Sequence, residues 1–217
     1  MNIAILTFDG FNEIDSFVTS HILSRVDLPG WNVRTTGPAT TVTSMNGVVI
    51  ETQERLGFAR RADAVVIGSG MKTREIVKDL SITNQLDLDP GRQLIASQCS
   101  GALLLMELGL VKNVPICTDR KTQVWAEEAG YEVLNQPIHA KGRVATVGGC
   151  LASHYLSAWL IWSLASEQAA IDALQYVLPH GEEDEYTSRA LRHVEPYVVG
   201  LGKNEDFPIM REGERSV

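Results

Sequence analysis

The sequence lacks the features of several large protein classes. Its 217 residues carry 19 Lys and Arg against 27 Asp and Glu, for a net charge of −8, and such an acidic chain is a poor ligand for nucleic acid or an anionic membrane. No apolar run approaches the roughly 18 residues of a membrane-spanning helix. The first ten residues, MNIAILTFDG, have no basic segment, and we predict that they are not a signal peptide. We therefore predict a cytoplasmic protein that binds neither nucleic acid nor membrane.

Cysteines and metal-binding motifs are also scarce. The three cysteines, Cys99, Cys117 and Cys150, are an odd number at wide spacing, which argues against a disulfide framework and for a reducing compartment. There is no CxxC or HExxH motif, and the five histidines are scattered. We therefore expect no metal site. The Gly-Ser-Gly at 68–70 is not a dinucleotide fingerprint, because position 73 is Thr, and we expect no cofactor.

Short β-branched runs alternate with helical patterns along most of the chain, which predicts a doubly wound α/β fold with a mostly parallel sheet between helices. We predict strands at residues 3–8, 31–35, 64–67, 93–98, 131–134 and 144–147, and a hairpin around Asn46-Gly47. We predict helices at residues 13–26, 72–80, 102–108, 126–129 and 151–164. The domain should span residues 1–180, followed by an acidic C-terminal extension at 181–217 for solvation or partner contact.

Ligands of open α/β sheets bind at the carboxyl ends of the strands, and Cys99 lies at such an end. It should stand where a buried strand turns directly into a helix, with Gly101 allowing a tight turn like the nucleophile elbow of hydrolases. Free backbone N–H groups at a helix start would lower the pKa of the thiol. The alternative is a buried structural cysteine at a strand end.

A carboxyl group could assist this thiol. Asp15 falls between apolar residues of a helical pattern, where a charge needs a partner, and it could hold a proton or orient a water. The alternative is a solvated aspartate. Glu13 competes for the role but should point elsewhere, because helix positions two apart do not share a face. The segment at 68–70 could offer backbone N–H groups to a developing negative charge. Cys150 and Cys117 are more typical of core positions.

These segments together resemble the ThiJ/PfpI superfamily, which has the class I glutamine-amidotransferase-like, flavodoxin-like fold. The resemblance runs from residue 2 to about residue 169. Its motifs are GFNEID at 10–15, VVIGSG at 65–70, SQCSGALLL at 97–105 and ELGLV at 107–111. The chain is most similar to the isocyanide hydratase branch and to related domains of AraC-type regulators, because that branch has an aspartate at the position of Asp15 where others have a glutamate.

The resemblance implies a nucleophilic Cys99, an acid/base Asp15 and an oxyanion-hole-like site at the backbone of Gly70 and Ser100. The Ser100 hydroxyl stands where isocyanide hydratases have a threonine, and peptidase-like members have a histidine there. The resemblance also implies a homodimer. Many relatives carry a Thr-His pair after the elbow helix; here Asp119 takes the histidine position, so Asp119 or Arg120 could line the pocket. Ser69 and Cys150 are further possible pocket residues.

The favoured hypothesis is a cofactor-independent hydro-lyase that adds water to a small electrophile such as an isocyanide, giving an N-substituted formamide. Cys99 would attack the carbon and Asp15 would activate the water. The alternative is a redox or stress-response protein in which Cys99 is reversibly oxidised without turnover. A glyoxalase-type aldehyde hydratase and a ligand-binding module with a vestigial site remain further alternatives.

Overall fold

Buried parallel strands form the centre of the molecule. The computed structural model describes residues 1–199. The strands are β1 (Asn2–Leu6), β2 (Asn32–Gly37), β3 (Thr41–Thr43), β4 (Val49–Glu51), β5 (Glu54–Arg55), β6 (Ala64–Ile67), β7 (Leu94–Gln98), β8 (Ile138–Lys141) and β9 (Val144–Val147). The helices are α1 (Glu13–Leu23), α2 (Thr73–Ile76), α3 (Leu80–Thr83), α4 (Ala102–Glu107), α5 (Arg120–Glu128), α6 (Ser153–Leu164), α7 (Glu167–Gln175) and α8 (Glu183–Val194). Short 3-10 turns occur at Leu56–Arg61, Cys99–Gly101, Cys150–Ala152 and Glu195–Tyr197.

Seven strands form one sheet in the order β5-β2-β1-β6-β7-β9-β8. Every neighbouring pair in it is parallel except β8 and β9, which form an antiparallel edge. The hairpin of β3 and β4 stands apart as a two-stranded sheet. The predicted doubly wound α/β fold with a mostly parallel sheet is therefore confirmed, and so is the hairpin. Among the described residues, no helix combines the length and apolar character needed to cross a membrane.

Two apolar cores cover the two faces of this sheet, because successive side chains of a strand point to opposite faces. On β1, Ile3 and Ile5 belong to one core, which α1, α6, α7 and α8 complete. Ala4 and Leu6 belong to the other, under the shorter helices α2 to α5. Burial on both faces explains why the central strands are nearly continuous apolar runs.

The predicted elements differ from the observed ones mainly at the sheet edge and in short helices. The strand expected at 131–134 is wrong, since Val133 makes only an isolated bridge with Ile116. Strand β8 was not predicted, because a short edge strand that carries His139 and Lys141 lacks an apolar run. The helix expected at 72–80 is divided into α2 and α3, and α5 begins well before the predicted 126–129.

Part of the predicted C-terminal extension packs on the domain. Helix α8 buries Ala190 and Val194 in the core beside α6. The indole Nε1 of Trp159, on α6, donates a 2.7 Å hydrogen bond to the carbonyl oxygen of Tyr197. Residues 183–199 thus share the core of the preceding domain, whereas 200–217 lie outside the described residues. The predicted boundary at residue 180 stays a prediction.

The turn after β7 has no room for a side chain at Gly101. A Cβ added there would lie 2.5 Å from the carbonyl oxygen of Ile67, whereas one at Gly57 would meet nothing within 4 Å. We expect Gly101→Ala to lower the free energy of unfolding by at least about 2 kcal/mol, because strand backbone must shift. Gly57→Ala is the control and should change it by less than about 0.5 kcal/mol. Urea denaturation measures both, and equal stability of the two variants would contradict the close packing at this turn.

Candidate active site

Cys99 occupies a strained turn between β7 and α4. Its φ is +45°, in the left-handed region, which costs a residue with a side chain roughly 1–2 kcal/mol. Two contacts hold the turn. Gly101 packs against strand backbone, and Thr118 Oγ1 donates a 2.7 Å hydrogen bond to the carbonyl oxygen of Cys99. The elbow expected from the sequence is present in the structure, and it fixes the direction of the thiol.

Asp15 is fully buried in the first turn of α1. Its Oδ2 accepts a 2.5 Å hydrogen bond from Ser69 Oγ, and its Oδ1 has no hydrogen-bond partner among the described residues. Glu13 points elsewhere, as expected for a helix residue two positions away. Its carboxylate accepts hydrogen bonds from Ser44 Oγ and Asn46 Nδ2. The choice between the two acidic residues is therefore settled by geometry in favour of Asp15 as the neighbour of Cys99.

Cys150 completes a compact cluster with these two residues. The sulfurs of Cys99 and Cys150 and a carboxylate oxygen of Asp15 all lie within 4.8 Å of one another. Cys150 opens the 3-10 turn after β9, and Asn12 Nδ2 donates a 3.2 Å hydrogen bond to its sulfur. Two sulfurs and a carboxylate are ligands that zinc accepts, so this cluster could hold a metal. Motif spacing did not indicate it, because the three residues come from distant segments.

A buried amide ties these distant segments together. Gln98, the last residue of β7, accepts a 2.7 Å hydrogen bond from Thr19 Oγ1 on α1. Its Nε2 donates a 2.6 Å hydrogen bond to Ser153 Oγ, at the start of α6. Ser153 Oγ in turn donates to the carbonyl oxygen of Cys150 at 2.6 Å. The residue before Cys99 thus fixes the elements that carry the other two members of the cluster.

Burial dominates the electrostatics of the thiols. Cys99 is only 4% exposed, and this desolvation, with the neighbouring charge of Asp15, raises the pKa of its thiol far above the ordinary value. The lowered pKa expected from a helix start is therefore wrong, because desolvation outweighs the backbone dipoles. Burial and Asp15 also raise the pKa of Cys150, and the hydrogen bond from Asn12 opposes that shift. Both thiols are predominantly protonated at neutral pH.

The backbone N–H of Gly70 lies at the site but is already engaged. It donates a 3.2 Å hydrogen bond to Ser100 Oγ, and that hydroxyl also lies 2.9 Å from Thr73 Oγ1. Gly70 is held close to the loop after β1, since a Cβ there would lie 2.4 Å from the carbonyl oxygen of Gly10. For Gly70 to bind a developing negative charge, Ser100 must release this N–H group or donate its own hydroxyl instead.

A cavity of about 250 Å³ opens onto the cluster. Cys99, Cys150 and Ser69 line it, and so do Arg74 and Trp125, whose guanidinium carbon and ring centroid are 4.5 Å apart. This volume is below the roughly 300–1,000 Å³ of pockets for drug-sized ligands. The cavity therefore suits a small molecule.

The other two predicted pocket residues have different surroundings. Asp119 lines the Cys99 cavity, but its carboxylate caps α5 by accepting hydrogen bonds from the backbone of Lys121 and Thr122. Arg120 lines a neighbouring depression of about 500 Å³, which Gly148 also lines. The structure thus brings together Ser69, Asp119 and Cys150 around Cys99 and leaves Arg120 outside.

Sequence reasoning missed three residues that shape the site: Asn12, Thr73 and Thr118. Asn12 caps α1 through its Oδ1, which accepts from the N–H of Ile14, and this leaves its amide nitrogen for Cys150. An asparagine before a helical pattern is a recognisable cap, so this position had a signal. The contacts of Thr73 and Thr118 with the elbow depend on tertiary packing, so no sequence signal indicates them.

Comparisons with solved structures agree with the observed architecture. Schizosaccharomyces pombe DJ-1 is similar with a TM-score of 0.71 and 19% identity, over 82% of this chain and 100% of that one. A ThiJ/PfpI family protein from Pseudomonas syringae gives a TM-score of 0.72 and 18% identity, over 91% of this chain and 87% of that one. An oxidized DJ-1 from Toxoplasma gondii is similar with a TM-score of 0.70 and 16% identity, over 82% of this chain and 98% of that one. Identities this low show the fold alone.

A comparison with curated protein sequences finds no match. The family model described as the DJ-1/PfpI family matches residues 1–159, which is more than half of the 217 residues. The matched range includes the first turn of α1 with Asp15, the elbow with Cys99 and the turn with Cys150. The chain belongs to the DJ-1/PfpI family.

Proposed function

We propose that the protein is a cofactor-independent cysteine hydro-lyase that adds water to a small electrophilic carbon, such as that of an isocyanide, to give an N-substituted formamide. The observation that carries this proposal is the position of Asp15, fully buried and within 4.8 Å of the Cys99 sulfur. A proton can pass between two groups at such a site without entering bulk water. The small cavity beside them supports a small substrate.

The first step adds the S–H group of Cys99 across the isocyanide carbon. The sulfur forms a bond to that carbon while Asp15 takes the thiol proton and delivers it to the same carbon, giving a thioimidate. A raised thiol pKa is compatible with this step, because the proton is needed in the product. Asp15 is suited to this transfer by its Oδ1, which has no hydrogen-bond partner within residues 1–199, while Ser69 donates to the other oxygen.

The second step releases the product. Water adds to the thioimidate carbon as Asp15 takes one of its protons and passes it to the nitrogen. The carbon–sulfur bond then breaks, the remaining hydroxyl proton moves through Asp15 to the sulfur, and the formamide leaves, so that the enzyme returns to its starting state. In this step the hydroxyl of Ser100 and the N–H of Gly70 are proposed to stabilise the negative charge that develops on the attacking oxygen.

Replacing the nucleophile tests the proposal directly. We expect Cys99→Ala to lower kcat/KM for alkyl and aryl isocyanides by at least about 1,000-fold, since no other thiol has the same elbow. Cys117→Ala is the matched control: burial raises the pKa of Cys117 to about 12, its backbone N–H donates to Thr146 Oγ1, and the residue does not line the cavity. Formamide production followed by NMR measures both. Full turnover by Cys99→Ala would overturn the mechanism.

Replacing the carboxyl group should separate thiol reactivity from turnover. We expect Asp15→Asn to reduce formamide production by at least about 100-fold, because the proton carrier is lost. The same change removes a charge that raises the pKa of Cys99, so alkylation of Cys99 by iodoacetamide at pH 8 should become faster. Glu13→Gln is the control and should alter neither rate by more than about twofold. Turnover of Asp15→Asn equal to wild type would rule out the assigned role.

A redox or stress-response protein is the second candidate function. It is supported by the proximity of the two cavity-lining cysteines and by the oxidized state named for the Toxoplasma gondii neighbour. In this candidate Cys99 is oxidised to a sulfenic or sulfinic acid and forms no product.

Peroxide titration beside a substrate screen separates the two functions. For the hydro-lyase we expect turnover of at least one isocyanide by the reduced protein, and slow oxidation because the thiols are protonated. Intact-protein mass spectrometry and NMR supply the two readouts. Rapid oxidation of Cys99 without turnover of isocyanides or glyoxals would favour the redox candidate.

The homodimer implied by the resemblance stays a proposal, and sedimentation of the protein in solution tests it.

A further inference from the structure

We propose that Cys99 and Cys150 form a reversible intramolecular disulfide when the protein meets hydrogen peroxide or an organic hydroperoxide. The hydration mechanism leaves Cys150 without a role, although it shares the cluster with Cys99. The inference builds on the oxidisable Cys99 of the second candidate function and assigns Cys150 as the thiol that resolves the oxidised sulfur. It requires no turnover of any substrate.

The geometry brings both sulfurs into one accessible space. They lie within 4.8 Å of each other, and both residues line the same cavity of about 250 Å³, which is large enough for a peroxide. A disulfide needs a sulfur–sulfur distance of about 2.05 Å, and a change of rotamer moves a cysteine sulfur by roughly 3 Å. Cys150 is the side chain free to make this move, because it is half-buried and lies in a short turn after Gly149.

Cys99 is held more firmly than Cys150. Its carbonyl oxygen is fixed by Thr118, and the strained elbow around it is closed by Gly101. The Cys150 sulfur accepts a hydrogen bond from Asn12 Nδ2. Asn12 still caps α1 through Oδ1 when that bond breaks, so the rotation of Cys150 leaves the helix start intact.

A disulfide is compatible with the electrostatics of this buried site, because it adds no charge to it. Asp15 and the two thiols share one buried site, and the pKa of each thiol is raised by burial and by Asp15. Both thiols are therefore protonated at neutral pH, and the reduced cluster carries no thiolate beside the carboxylate. A disulfide removes both thiols as ionisable groups, so the oxidised cluster contains a single acidic residue.

The reaction balances as two steps. Peroxide transfers one oxygen to the Cys99 sulfur, giving a sulfenic acid and one water (or an alcohol from an organic hydroperoxide). The Cys150 sulfur then attacks the Cys99 sulfur and the sulfur–oxygen bond breaks. The leaving hydroxide takes the proton lost by Cys150 and departs as water. Two thiols are oxidised by two electrons in all, and the peroxide is reduced. Formation of the disulfide prevents further oxidation of Cys99 to the irreversible sulfinic acid.

Mass spectrometry of the reduced, full-length protein after treatment with hydrogen peroxide tests the proposal. We expect wild type to lose about 2 Da, to yield a linked peptide pair containing positions 99 and 150 under non-reducing conditions, and to recover its mass with dithiothreitol. Cys117→Ala is the matched control and should behave as wild type. Cys150→Ser should instead gain about 32 Da at Cys99, which dithiothreitol does not reverse.

Several outcomes would overturn the proposal. These are a sulfinic acid at Cys99 of wild type that forms as fast as in Cys150→Ser, a linkage that includes Cys117, or a disulfide between two chains. The wild-type peptide map decides the matter even if Cys150→Ser fails to fold. A wild-type protein that accumulates sulfinic acid without a linkage leaves the second candidate function standing and removes only the role of Cys150. Failure of isocyanide turnover leaves this test unaffected.

Discussion

The side chain of Gln98 is the connection on which the site depends. A single buried amide accepts from α1 and donates to the start of α6, and it belongs to the residue directly before Cys99. Each unsatisfied buried polar atom costs about 1–3 kcal/mol, so these elements are held to positions that satisfy the amide. The carboxyl on α1 and the thiol before α6 reach Cys99 because the elements beneath them share this partner.

Burial raises the pKa of the Cys99 thiol more than the backbone N–H groups at the helix start lower it. Sequence position suggested that backbone N–H groups would stabilise a thiolate. In the folded chain, burial and the nearby Asp15 favour the protonated form. In the proposed hydration mechanism a proton moves together with the forming bond, and that mechanism requires a general acid/base at short range. The fully buried Asp15 meets that need better than a solvated carboxylate would.

Much of the fold followed from the sequence because buried parallel strands are apolar on both faces. The strand at residues 64–67 was predicted with its observed bounds for this reason, and the elbow at Cys99 followed from a strand that runs into Gly101. The edge strand β8 carries polar residues on a short segment and had no such signal. The predicted strand at 131–134 has the right residue types, but no neighbouring strand pairs with it along its length.

The site was predictable only as far as its local motifs extend. Asp15 and Cys99 were assigned from an aspartate on an apolar helix face and a cysteine at a strand end. Cys150 was included only as a possible pocket residue, because no spacing rule connects it with Cys99, 51 positions earlier in the sequence, or with Asp15, 135 positions earlier. The contacts of Asn12 with Cys150, and of Ser69 with Asp15, depend on how loops from separate strands meet at one sheet edge.

The packing of α8 has a consequence for where the minimal folding unit ends. The family match stops at residue 159, yet the indole of Trp159 on the last matched position bonds to the backbone of Tyr197. Cutting the chain at the end of the match would strip the cover from α6 and leave its apolar side open to self-association. A truncated form for expression, or a fusion to a second protein, should therefore retain the chain through Val199.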